Sequence, residues 1–189
     1  QLLAEAYCLR AFVHFDLINL YAKWYDPATA ATDKAVPLSL KIDIGQSFIP
    51  TTVEKVYEQV LADLQEAEKY MQVEQQTGAY LYRFSKKALK AFQARVYLYH
   101  QDWKQAQETA ESLLAACPLE DLTTTEAQPW TYTSKEAILA LETVSSTVMK
   151  EDMYVLDNIS GKFNQIKEGD KYVDARLGNY LVDKYGTWY

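Results

Sequence analysis

The sequence predicts a mainly α fold, in which tetratricopeptide-like antiparallel helix pairs carry long loops and an irregular C-terminal part follows. Three observations lead there. Apolar residues recur at helical spacing in stretches beginning near Leu2, Val53, Lys86 and Trp103. The last two stretches are separated only by Gln101-Asp102, and so short a turn lays neighbouring helices antiparallel. Beyond Pro118 the periodicity stops, and Thr123-Thr124-Thr125 and Pro129–Thr133 read as irregular chain. The expected organisation is a helical region at 1–117 with a long insertion at 23–50, then a loop-rich, truncated region at 118–189.

The first helix is expected over Leu2–Tyr21, which holds neither Gly nor Pro. Spacing residues at 100° puts Gln1, Glu5, Asp16, Asn19 and Lys23 on a solvent side. Leu3, Ala6, Leu17 and Tyr21 fall on the predicted buried side, with Arg10 and His14 near its centre. A buried cation needs a partner, because leaving it unpaired costs several kcal/mol. The opening Gln1–Ala6 reads as the inside of a helix, so further chain is expected before it. The ending Gly186-Thr187-Trp188-Tyr189 is likewise expected to continue.

Pro27, Pro37, Gly45 and Pro50 break the pattern between residues 23 and 50, and a connection of that length is usually functional. The second helix follows, with Thr51 expected to cap it and Glu54 to reach back. Val53, Val56, Tyr57, Val60, Leu61, Leu64, Ala67 and Met71 form its apolar stripe. Ser85 is the expected N-cap of the third helix, with Phe84 and Leu89 at the spacing of a hydrophobic staple. Asp102 is expected to cap the fourth, whose buried stripe reads Trp103, Ala106, Ala110, Leu113 and Cys117. Ala94, Tyr97 and Ala106 stand at tetratricopeptide spacing. Glu136–Thr143 fits a short strand or a buried turn of helix, and Tyr172–Lys184 a short helix.

Composition narrows the function. The chain has 189 residues, with 19 Lys+Arg against 26 Asp+Glu, a net charge of −7. An acidic chain without a basic stripe is a poor partner for nucleic acid or for an anionic membrane surface. No apolar run approaches the roughly 20 residues of a membrane-spanning helix. Cys8 and Cys117 are too few for a disulfide framework and read as packing residues. The 15 Tyr against 6 Phe suit half-wet surfaces, where a ring needs both an apolar face and a hydrogen bond.

Catalytic and metal motifs are absent from the sequence: no G-x-S-x-G, H-E-x-x-H, Walker loop or paired C-x-x-C occurs. No cofactor or metal is expected. Carboxylates such as Glu54, Glu58, Asp63, Glu66 and Glu68 lie on amphipathic helices and read as a solvated face. Arg10 and His14 admit two readings, a site or a structural network between helices. Trp103 reads as packing. Trp24, Tyr25 and Asp26 sit where a helix enters the long loop, and aromatics on a loop held by rigid helices suit a ligand platform or a loop anchor. Trp130 and Tyr132, in the second loop-rich stretch, are further platform candidates.

Several segments resemble the SusD/RagB family of outer-membrane glycan-capture lipoproteins. Ala4-Glu5-Ala6-Tyr7-Cys8-Leu9-Arg10-Ala11-Phe12 is similar to that family's first conserved helix, and Val36-Pro37-Leu38 to its recurrent loop motif. Thr52-Val53-Glu54-Lys55-Val56-Tyr57 with Asp63-Leu64 is similar to its second helix. Ser85–Tyr99, Asp102-Trp103-Lys104-Gln105-Ala106, Ser134–Leu139 and Asp174-Ala175-Arg176 continue the match in order. Two positions depart from the pattern: Thr51 stands where the family has Arg, and Ala22 where it often has Gly. The resemblance implies a helical scaffold that docks on a SusC-like TonB-dependent transporter, with loops that capture oligosaccharide. It also implies a surface-exposed outer-membrane lipoprotein whose lipid anchor lies outside these residues, since Cys8 is inside a helix. The expected function is non-enzymatic glycan capture and delivery. The alternatives are a protein-interaction scaffold without sugar binding and, third, a helical glycoside hydrolase.

Overall fold

Helix α1, Leu2–Tyr21, forms from an uninterrupted run of helix-compatible residues, and Gln1 precedes it as N-cap. The computed structural model describes residues 1–42, 45, 47–117, 119–121, 123, 134–141, 167–168, 171–172, 183–184 and 187–188. The chain divides into two compact units, Gln1–Cys117 and Pro118–Tyr189.

In the first unit α1 packs on α2, Val53–Tyr70, and α3, Lys86–Tyr99, packs on α4, Trp103–Ala116, with α2 against α3. Both pairs are antiparallel. The Gln1 side chain at the start of α1 accepts from the Gln72 and Val73 N–H groups just past the end of α2. Lys87 in the first turn of α3 donates to the Ala116 carbonyl at the end of α4. Between α2 and α3 a short 3₁₀ turn spans Gly78–Tyr80, where Gly78 adopts φ +56°, a conformation that glycine takes without strain.

Local signals place most helix ends. Ser85 Oγ accepts from Ala88 N–H and Asp102 Oδ1 from Gln105 N–H, as capping residues do. Phe84 and Leu89 are both buried. The predicted cap of α2 is displaced by one residue: Thr52, not Thr51, accepts from Lys55 N–H. Thr51 is engaged elsewhere, its carbonyl accepting from Ala35 N–H at 2.7 Å. Val53 and Glu54 N–H, orphan donors of the first turn, find the Asp33 and Ala30 carbonyls of the insertion.

The α2 stripe is buried as its periodicity predicts, apart from half-buried Leu61. The buried face of α1 differs from expectation. Ala4, Glu5, Cys8, Ala11, His14, Phe15 and Ile18 face inward, whereas Leu3, Ala6 and Tyr21 are exposed and Leu17 is half-buried. Apolar residues occupy most of this helix's circumference, so a projection alone does not choose the face. Glu5 goes inside because Arg83 meets it with two bonds, Nε to Oε2 at 3.0 Å and Nη2 to Oε1 at 2.9 Å. Asp63 is likewise a correction: it is 1% exposed rather than solvated.

Phe12, Phe15, Phe84 and Phe92 form a cluster of edge-on and tilted rings that joins α1 to α3. Helix α4 buries only Ala106 of its predicted stripe. Ala110, Leu113 and Cys117 are half-buried, and Trp103 is 61% exposed rather than packed. Cys8 is buried in the α1–α2 interior, and burial, with Glu5 adding to it, pushes its thiol up to about 12. Such a thiol stays protonated and packs as a small apolar group.

Among its described residues the second unit contains two antiparallel two-residue ladders. Lys167–Glu168 pairs with Lys171–Tyr172, and Asp183–Lys184 with Thr187–Trp188. Tyr172 and Lys184, which bound the segment expected to hold a short helix, thus lie in these ladders; most of its interior lies outside the described residues. Glu136–Leu141 forms no strand. Glu136 sits in a turn with Ser134, whose hydroxyl donates to Glu120 at 2.6 Å. Glu120 N–H donates in return to Glu136, so these groups hold a local turn. The last two positions of that predicted segment, Glu142 and Thr143, lie outside the described residues.

Candidate functional site

Trp24, Tyr25 and Asp26 leave the end of α1 at the start of the insertion, and the structure gives each a different environment. Trp24 is 84% exposed, with its indole presented to solvent. Tyr25 is half-buried. Its ring meets Tyr57 edge-on at 5.2 Å and lies tilted on the His100 imidazole at 4.2 Å. Its carbonyl accepts from Gln101 Nε2 at 2.6 Å. Burial, reinforced by Glu54 and Glu58, pushes the Tyr25 phenol up, so it remains a hydrogen-bond donor. Asp26 Oδ1 accepts from Ala28 N–H at 2.9 Å and its carbonyl from Thr29 and Ala30 N–H, which folds the chain after Tyr25 into a turn.

The turn between α3 and α4 therefore holds the loop. Gln101 adopts φ 64°, and His100 ends α3 with its ring against both tyrosines. Sequence reading did not anticipate either residue, because neither belongs to a motif. The only signal was that the turn was very short. Further along, Lys23 Nζ and Thr29 Oγ1 both donate to Asp33, and these bonds hold its carboxyl below the usual range. Trp130 and Tyr132 lie outside the described residues.

Arg10 and His14 belong to a structural network. Arg10 forks onto Asp63, and its guanidinium also lies 5.3 Å from the Tyr7 ring centre. His14 Nδ1–H donates to the Arg10 carbonyl, while Nε2 accepts from Ser39 N–H, which ties the insertion to α1. Beside this bond a cleft of about 490 Å³ runs between α1 and the insertion, lined by Leu9, Val13, Leu17, Pro37 and Phe48. No group of three His, Cys, Asp or Glu suited to a metal occurs among the described residues. No described helix is long and apolar enough to cross a membrane.

Residues 1–98, more than half of the chain, match the SusD-like family model described as starch-binding and associating with the outer membrane. This chain belongs to the SusD-like family. SusD-like protein P38 of Formosa agariphila is 33% identical over 120 residues, which cover 61% of this chain and 21% of that protein. A SusD superfamily protein from Bacteroides fragilis is 28% identical, with a TM-score of 0.59 over 75% of this chain and 33% of its own. One from Bacteroides vulgatus, also 28% identical, gives 0.53 over 60% and 25%. The SusD-like chain described here thus spans about a fifth to a third of the length of these relatives. The matched range includes α1, the whole insertion with the loop bearing Trp24, α2 and most of α3.

Proposed function

We propose that the chain is part of a non-enzymatic protein of the cell surface. In this reading it captures oligosaccharides and delivers them to a SusC-like TonB-dependent outer-membrane transporter. The observation that carries the reading is an exposed indole, Trp24, on a family-matched loop that Tyr25 clamps to the helices. A sugar ring offers an apolar face of C–H groups and a rim of hydroxyls. An indole lies against the face, and the Asp26 carboxylate accepts from the rim. Clamping the loop lowers the ordering cost of binding, because the backbone beside the ring is already fixed. Trp130 and Tyr132 are proposed as additional platforms. Lipid attachment at the outer membrane would use a residue other than Cys8, which is buried within α1.

A glycan array probed with the full-length protein, followed by analysis of the bound sugars, tests this. Saturable binding with intact glycans supports capture. Released sugar would make the protein a hydrolase, and an array without binding would leave the helix pairs as a protein-interaction scaffold.

A further inference from the structure

The turn between α3 and α4 gives each of its residues a backbone task. Asp102 N–H donates to the Tyr97 carbonyl at 2.9 Å, and Gln101 N–H to the Leu98 carbonyl at 3.2 Å. This pair of bonds is the Schellman ending of a helix, in which the residue at Gln101 has to turn left-handed. Among the described residues Gln101 is the one non-glycine residue with positive φ, at 64°. Glycine is the usual occupant of such a position, because a Cβ strains the left-handed conformation. Asp102 is committed elsewhere, since its carboxylate caps α4 by accepting from Gln105 N–H.

Among the described residues the Gln101 side chain makes no hydrogen bond within the hairpin. It is exposed, so burial does not account for a glutamine there either. Its amide reaches out of the hairpin instead, and Nε2 donates to the Tyr25 carbonyl, 76 positions earlier, at 2.6 Å. Glycine would relax the turn and leave that carbonyl to water. A strained backbone kept at a residue whose side chain acts on another segment points to a requirement in that segment.

The two attachments of Tyr25 show what the requirement is. Its ring lies on His100 at 4.2 Å and meets Tyr57 at 5.2 Å. Ring contacts fix a side chain but leave the backbone free to swing about the Cα–Cβ bond. The Gln101 bond holds the peptide group that joins Tyr25 to Asp26. With ring and peptide both held, the directions in which Trp24 and Asp26 leave Tyr25 are set.

We propose that Gln101 is a positioning residue for Trp24 and Asp26, retained where glycine would make the hairpin more stable. The inference rests on the reading of the Trp24 loop as the capture platform, and concerns how that platform is held.

The test uses full-length protein and three measurements. These are melting temperature, hydrogen–deuterium exchange over residues 24–30, and calorimetry with maltoheptaose, laminarihexaose, xylohexaose and mannohexaose in turn. Gln101→Gly loses one hydrogen bond but also the strain, so it should melt at or above the wild-type temperature. Exchange at 24–30 should nevertheless rise several-fold, and affinity for the oligosaccharide that binds should fall several-fold. A residue kept for the hairpin alone would lower stability and affinity together. Gln101→Glu keeps the strain and the length but has no proton to donate near neutral pH; it should speed exchange equally and melt below Gln101→Gly. Melting of Gln101→Gly below wild type overturns the proposal. So does wild-type exchange at 24–30 in both variants, or unaltered affinity alongside faster exchange. If the wild type binds none of the four sugars, the capture reading of Trp24 fails by itself, and exchange with melting still decides whether Gln101 holds the loop.

Discussion

Arg10 on α1 forks onto Asp63 on α2, with Nε to Oδ2 at 2.8 Å and Nη2 to Oδ1 at 2.6 Å. Only 1% of the Asp63 side chain is exposed, against 32% for Arg10, so the carboxylate depends on the fork while the guanidinium still reaches water. Gln59 Nε2 also donates to it, at 2.7 Å. Arg10→Met should therefore destabilise the protein by about 2–4 kcal/mol, because a buried carboxylate loses its counter-ion. Adding Asp63→Leu should recover much of that loss. Urea unfolding of the two single variants and the double variant measures it, and strictly additive losses would contradict the coupling.

The α3–α4 hairpin offers a packing test. Ala106 is buried, so Ala106→Leu should overpack the hairpin and cost about 1–3 kcal/mol. Ala94 is half-buried, and Ala94→Leu should cost less than Ala106→Leu. Thermal melts of the two variants give the ranking, and a reversed order would count against this register.

Protonation of His100 should loosen the loop anchor. Burial holds its imidazole below the ordinary value of 6.5, against the opposing influence of Asp102. The unfolded chain therefore takes up the proton at higher pH than the folded one, and stability rises with pH across that interval. It should be fully present above about pH 6.5, fall as the pH drops below it, and level off beneath the folded value. Urea midpoints from about pH 8 to about pH 5 should show this slope in the wild type. His100→Phe keeps a ring against Tyr25 and Tyr57 and should flatten it.

Trp24 and Tyr25 should separate binding from stability. Trp24→Ala removes a solvent-exposed ring and should leave the melting temperature nearly unchanged, within about 0.5 kcal/mol. Affinity for the preferred oligosaccharide should fall roughly tenfold, about 1.4 kcal/mol. Tyr25→Ala removes two ring contacts and should cost about 1–2 kcal/mol of stability as well. Calorimetry on full-length protein distinguishes the cases; unchanged affinity in Trp24→Ala would remove this ring from the site.

Sequence alone determined the features that arise within a turn or two of chain. Ser85 and Asp102 each cap the helix that follows, and the α2 stripe repeats at the helical period on a helix whose opposite side is polar. These are local consequences of backbone donors and spacing, so they are legible without a fold. The exposed loop at Trp24 was legible for the same reason, from a helix running into prolines. Tertiary structure decided where charge is buried. Glu5 and Asp63 read as solvent-facing until Arg83 and Arg10, 78 and 53 positions away, arrive to pair with them. It also decided the face of α1, whose apolar residues run nearly around the helix, and the exposure of Trp103. The clamp of Tyr25 between Tyr57, His100 and Gln101 is of the same kind. Burial of a polar group is favourable only when a distant partner compensates its lost hydration, and one-dimensional spacing carries no record of which partner that is.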